Sequence, residues 1–465
     1  MEKEKVRKEK DSLGELEVPE SAYYGVQTAR AVANFPISGL RPHPTFIAAT
    51  AMVKWAAAEA NMACRKLDPK IGKIIQAAAL EVIEGKWNHQ FVVDVFQAGA
   101  GTSHNMNSNE VIANRAIEKL GGKRGEYNRV HPNDHVNMSQ STNDIFPTSM
   151  RVAALLMIKA LVRVVARLEK RLSEKAREFD DVIKSGRTHL QDAVPVRLGQ
   201  EFSGYARAIL RARKRIETAS EGLRELGIGG SAAGTGINTH PQYKKKVVAA
   251  IRKISGVEVV PSNNLFERMQ SMADFVELSG ALRELAVELI RIANDLRLLS
   301  SGPRTGLAEI ILPPVQPGSS IMPGKVNPVM AEVTNMVCFH VIGNDLTISM
   351  AAQAGQMELN VMMPVINFNL LQSIEILTRD IDLFAERCVK GITVNRENCK
   401  EYAEKSVGLA TILNPKIGYE AAAVVAKESA ATGKTVREVI IKKGILSAKE
   451  VDALLDPVKM TEPSE

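Results

Sequence analysis

The stretch FVELSGALRELAVELIRIANDLRLL, residues 275–299, decides how this chain folds. Phe275, Leu278, Leu282, Leu285, Leu289, Ile292, Leu296 and Leu299 recur in alternating steps of three and four. That spacing puts all of them on one stripe of an α-helix and predicts a helix of about six or more turns, packed along an apolar seam. Phe202, Tyr205, Ile209, Ala212, Ile216, Ala219, Leu223 and Leu226 repeat the pattern. Leu155, Ile158, Val162, Val165, Leu168, Leu172 and Ala176 nearly do. Such helices exceed the roughly 11–12 residues usual in globular domains, and long helices with apolar flanks on several sides commonly meet other subunits.

Punctuation supports this division. Gly302-Pro303 follows the 275–299 seam, the run GIGGSAAGTG (227–236) follows the 202–226 seam as a turn, and Gly186 precedes RTHLQDAVP. The best strand signal is VEVVP at 257–261, so the expected class is all-α. The expected domains are an N-terminal domain over 1–141, a central helical bundle over 142–396, and a small C-terminal helical domain over 397–465.

Composition excludes several functions. Hydrophobic residues make up 45% and charged residues 24%, and no apolar run is long enough to span a bilayer. The start, MEKEKVRKEK, is too charged for a secretory leader, so a cytoplasmic protein is expected. Four cysteines without metal or CxxC spacing fit a reducing compartment. The net charge of +7 arises from 60 basic residues interleaved with 53 acidic ones, and aromatics are only 5%. A mixed, ion-paired surface is therefore expected rather than a nucleic-acid interface. The eight histidines show no HxxxH or HxH spacing, so neither a metal nor a cofactor is expected.

Four segments stand apart: GAGTSHNMNSNE (99–110), HPNDHVNMSQSTNDIFPT (131–148), SGRTHLQDAVP (185–195) and PGSSIMPGKVNP (317–328). Each is polar, rich in small residues, and expected at the end of a helix. Singly, Thr102, Ser141, Thr142 and Asn143 read as ordinary caps and turns. Together the segments offer hydroxyls, amides, an imidazole and an ammonium with few carboxylates, an inventory suited to a small polyanion such as a dicarboxylate.

In order and spacing these four segments resemble the aspartase/fumarase superfamily of lyases, whose signature GSSxMPxKxN loop is matched by Gly318 to Asn327. The likeness covers nearly the whole chain, from LGELEVPESAYYGVQTAR to NPKIGYEAA. It implies an all-α, three-domain fold and a homotetramer with a twenty-helix core, its active sites each shared by three subunits. GTSHNMN (101–107), QSTND (140–144) and the segment NPVMAEVTNMVCFHVIGNDLTI resemble the aspartase branch, while His104 and Met363 depart from its habit. The alternative chemistry is that of class II fumarate hydratases.

The resemblance implies that Ser319 is the base that removes a carbon-bound proton, and that Thr102, Thr142, Ser320, Lys325 and Asn327 hold carboxylates. It further implies that Ser141, Asn143, Thr188 and His189 contact substrate, with Glu332 standing behind His189. Pro317, Gly318 and Gly324 would let the loop close as a lid.

Overall fold

The computed structural model describes residues 5–457 and 459–463. The chain begins with a hairpin, β1 (Val6–Asp11) and β2 (Gly14–Pro19). Four helices follow: α1 (Val26–Asn34), α2 (Pro44–Ala63), α3 (Pro69–Ile83) and α4 (Thr102–Lys119). The long α5 (Thr142–Glu178) leads to a second hairpin, β3 (Ile183–Thr188) and β4 (Gln191–Arg197), and then to α6 (Leu198–Ser220). Next come α7 (Tyr243–Ser255), α8 (Leu265–Gln270), α9 (Ala273–Leu299), α10 (Val329–Gln353) and α11 (Met363–Arg387). Among the described residues, the chain closes with α12 (Arg396–Lys405) and four further helices between Asn414 and Leu454.

Two compact units are present. One comprises Met1–Val162, Lys214–Ala286 and Phe339–Thr378; the other comprises Arg163–Arg213, Val287–Cys338 and Arg379–Glu465. Their boundary falls within all five long helices. In the first unit, fully buried Arg151 of α5 meets Asp274 of α9 at 2.6 Å, and Asp345 of α10 receives Ser279 and Arg283 of α9 at 2.7 and 2.9 Å. In the second, Arg171 of α5 meets Glu386 of α11 at 2.8 Å, and the Tyr205 hydroxyl of α6 donates to Asp295 of α9 at 3.0 Å.

All eight seam residues of 275–299 and all eight of 202–226 are buried. The 155–176 seam differs by one position at two points: Leu161 and Lys175 are buried where Val162 and Ala176 were expected. A helix of 3.6 residues per turn drifts from a strict heptad, which accounts for the slip. Lys175 tolerates this because its ammonium donates to the Ile392 carbonyl at 2.7 Å and to Glu178 at 2.8 Å. The strand expected at 257–261 shrinks to Val260–Pro261, paired in parallel with Glu225–Leu226.

Cys64, Cys338, Cys388 and Cys399 are all buried and unpaired. Among the described residues, no helix is long and apolar enough to cross a membrane. By contrast, α10 exposes Val333, Met336, Phe339, Leu346 and Met350.

Leu282→Ala removes a side chain that is 1% exposed and is expected to lower unfolding free energy by about 2–5 kcal/mol. Denaturant melts measure it, and a loss below about 1 kcal/mol would contradict a close-packed seam.

Candidate active site

The first cluster of polar residues lies in the first unit, where the N-termini of α4 and α5 are held together. Gly101, the residue before α4, has φ 83°, a left-handed conformation open to glycine, and a side chain there would run into the Phe146 ring of α5. Thr102 opens α4 and is exposed, while His104, Asn105, Asn107, Asn109 and Glu110 point inward and are no more than 2% exposed. Two of these inward side chains serve backbone. Glu110 accepts N–H bonds from Gly25, Gln27 and Thr28, and Asn107 accepts one from Val92.

Ser141, Thr142 and Asn143 begin α5, half-buried. The Ser141 hydroxyl accepts the Asn143 N–H at 3.3 Å, as an N-cap does. Behind them Asp144 is fully buried, and its carboxylate receives the N–H groups of Ser141, Gly229 and Ser231 at 3.0, 3.0 and 2.9 Å. Burial pushes its pKa up to about 6, opposed by those three donors and by Lys54. The glycine run at 227–236 is thereby tied to the start of α5. Asn143 adds a bond from its amide nitrogen to the Ala232 carbonyl at 2.8 Å. Asp144 was not among the expected site residues, although it closes the QSTND motif.

His104 departs from the aspartase pattern for a packing reason. Its ring stacks on Phe46 with centroids 4.5 Å apart and meets Phe146 edge-on. The Thr50 hydroxyl already donates to the Phe46 carbonyl, so at 3.0 Å it accepts from His104 Nε2–H, fixing a neutral tautomer. Burial lowers the His104 pKa to about 3. Met363, the other departure, is wholly buried at the start of α11.

The remaining expected residues lie in the second unit. RTHLQDAVP forms a hairpin instead of a helix end, and Gly186 sits at its bulge, where an added Cβ would meet the Val194 carbonyl oxygen at 2.5 Å. Thr188 ends β3 and His189 occupies the exposed two-residue tip. His189 and Leu190 both have positive φ, at 56° and 58°. Tight hairpins require this but usually take it from Asn-Gly, and side chains bearing Cβ there store strain of about 1–3 kcal/mol each. The hairpin is anchored at its root: Lys184, 1% exposed, meets Glu201 at 2.9 Å and buried Glu309 at 3.4 Å, and Arg187 meets Glu309 at 3.0 Å.

The 317–328 segment is a closed turn. Gly318 N–H donates to the Lys325 carbonyl at 2.7 Å, and the Asn327 amide donates to the Gly318 carbonyl at 2.7 Å. Gly318 allows this approach, since a Cβ there would meet Lys325 O at 2.7 Å. Ser319 Oγ accepts N–H bonds from Met322 at 2.9 Å and Ile321 at 3.3 Å. Ser320 and Lys325 are exposed, and Glu332 lies in the first turn of α10. Among the described residues, no hydrogen bond or ion pair joins Thr188 or His189 to this loop. No group of three or more His, Cys, Asp or Glu side chains among them is placed to hold a metal ion.

Two outcomes follow from this geometry. Glu309→Ala removes the buried carboxylate that both Lys184 and Arg187 meet, leaving Lys184 with Glu201 alone, and is expected to cost about 1.5–3 kcal/mol of stability, measured by chemical denaturation; a loss below about 1 kcal/mol would contradict the anchoring role. His104, with its folded pKa depressed, contributes stability fully above about pH 6.5, and that contribution is lost as pH falls toward 3. His104→Gln is therefore expected to flatten the acid limb of stability against pH in that window, whereas an unchanged slope would contradict the assignment.

A family model described as Lyase matches residues 14–343, and one described as Fumarase C C-terminus matches residues 409–462. An aspartate ammonia-lyase of Bacillus sp is 53% identical over 98% of this chain and 98% of its own. A crystal structure of fumarate lyase:delta crystallin from Brucella melitensis superposes with a TM-score of 0.96 at 51% identity, covering 99% of this chain and 100% of that one. Recombinant class II fumarase from Schistosoma mansoni superposes with a TM-score of 0.95 at 38% identity, covering 99% and 100%. The chain belongs to the aspartase/fumarase superfamily of lyases.

Proposed function

We propose that this protein catalyses the reversible deamination of L-aspartate to fumarate and ammonia. The observation that carries the reading is full-length similarity, at 47–53% identity, to aspartate ammonia-lyases from several bacteria. The class II fumarase neighbour is more distant, at 38%.

The substrate is a small dianion with an ammonium. Exposed Thr102 and half-buried Thr142 stand at the N-termini of α4 and α5, where the helix dipole favours anions. With Ser141, Asn143, Thr188, Ser320, Lys325 and Asn327 they would hold the two carboxylates. Ser319, as its alkoxide, removes a proton from Cβ, and the C–H electron pair passes into the adjoining carboxylate as an enediolate. That pair then returns to form the C=C bond, the C–N bond breaks, and ammonia leaves with its electrons. The N–H groups of Ile321 and Met322 that point at Ser319 Oγ favour the alkoxide over the hydroxyl. His189 binds near the departing amine, because an ammonium is already a good leaving group and needs little acid help.

A homotetramer with active sites shared by three subunits fits this reading. The apolar side chains exposed along α10 support it, since such stripes seldom remain in water. The four buried free thiols suit a reducing, cytoplasmic compartment.

Fumarate absorbs in the ultraviolet, so its formation from L-aspartate and from L-malate can be compared on one sample. Aspartate is the expected substrate, and formation from malate alone would overturn the assignment. Ser319→Ala is expected to lower kcat by at least about a thousandfold with the protein still folded. His189→Ala is expected mainly to raise KM; a collapse of kcat with KM unchanged would make His189 a proton donor instead.

A further inference from the structure

Lys54 lies on α2 with its side chain wholly enclosed. Its Nζ is 2.7 Å from Asn105 Oδ1, 2.8 Å from Asn137 Oδ1 and 3.0 Å from Gln140 Oε1. Among the described residues, no carboxylate forms an ion pair or hydrogen bond with it. Two of these amides are locked in orientation by their other ends: Gln140 Nε2 donates to the Val136 and Met138 carbonyls, and Asn137 Nδ2 donates to the Gln140 carbonyl. Their oxygens must therefore face Lys54. Three acceptors match the three protons of an ammonium, whereas a neutral amine has only two and a lone pair with no donor to meet it. Burial pulls the Lys54 pKa well down, with buried Asp144 opposing that shift. The acceptor set favours the charged form.

The third amide leads outward. Asn105 accepts from Lys54 at its oxygen and, through Nδ2, donates to Thr142 Oγ1 at 2.9 Å. A threonine oxygen that accepts this bond has its own proton free to point elsewhere. The open side of Thr142 is the half-buried start of α5. Orientation is thus passed from a buried charge, through one amide, to a surface hydroxyl that presents a proton to an anion. Hydrogen bonds arranged head to tail also polarise one another.

We propose that Lys54 is a positioning residue for the carboxylate site: through Asn105 it turns the Thr142 hydroxyl into a fixed donor and adds a buried positive charge behind it. This rests on the reading that Thr142 binds a substrate carboxylate. A purely structural lysine would affect folding and leave the behaviour of Thr142 independent.

The test is a double-mutant cycle of Lys54→Met and Thr142→Val, read by calorimetric binding of succinate and by kcat and KM for aspartate. Each single variant is expected to weaken succinate binding by about tenfold to a hundredfold, the range for losing a charge-assisted hydrogen bond. The double variant should be scarcely worse than either single one. If Thr142→Val alone leaves succinate binding unchanged, the carboxylate role of Thr142 fails and this proposal fails with it. If Thr142→Val weakens binding but folded Lys54→Met does not, or if the two losses multiply, the relay is wrong and the carboxylate site stands. Should Lys54→Met not fold, Asn105→Leu replaces it in the same cycle, with the same two outcomes deciding.

Discussion

The carboxylate of Asp144 is the constraint on which the first polar cluster depends. Out of water and ringed by three backbone N–H groups, it joins the start of α5 to the glycine run near residue 230. A buried acceptor of this kind is costly to leave unsatisfied, so its donors cannot drift apart cheaply. The serine, threonine and asparagine beside it are consequently presented from a rigid base. The close approach of Gly101 to Phe146 brings α4 alongside, with Thr102 at its exposed tip.

A comparable logic holds in the second unit. The Lys184, Glu201, Glu309 and Arg187 cluster pins the root of the hairpin, and the strained residues sit only at its tip. The signature loop is closed by its own backbone and by Asn327, while Ser320 and Lys325 remain in solvent. Each unit thus fixes polar groups on the ends of regular elements and leaves their tips uncovered. A small anionic substrate that must lose one particular proton needs donors held in this way, because donors that reorganise during reaction stabilise developing charge poorly.

Much of this was legible in the sequence where one physical effect dominated. The seams of α6 and α9 were readable because apolar burial imposes its period directly on side-chain spacing. The seam of α5 slipped by one residue at Val162 and Ala176, since drift from the heptad carries no local mark. The hairpin bearing Thr188 and His189 was missed because Gly186 and Pro195 interrupt its alternation; Gly186 falls at the bulge, and Pro195 pairs with Ser185. Of the GAGTSHNMNSNE segment only Thr102 was expected to touch substrate, and it is the one side chain there that faces outward; the inward places of Asn105, Asn107 and Asn109 are not marked in the composition. Lys54 carried a signal that went unused: a single cation inside the apolar run TFIAATAMVKWAAAEA requires a buried partner.

The central claim is that a hydroxyl on the 317–328 loop strips a carbon-bound proton from a dicarboxylate held at the N-termini of α4 and α5. A crystal structure of the assembled protein with bound aspartate tests it most directly. The account predicts one carboxylate within hydrogen-bond reach of Thr142, and Ser319 Oγ of one subunit about 3–3.5 Å from the substrate Cβ. A ligand bound away from Thr142, or a closed loop with Ser319 on the far side from Cβ, would contradict it.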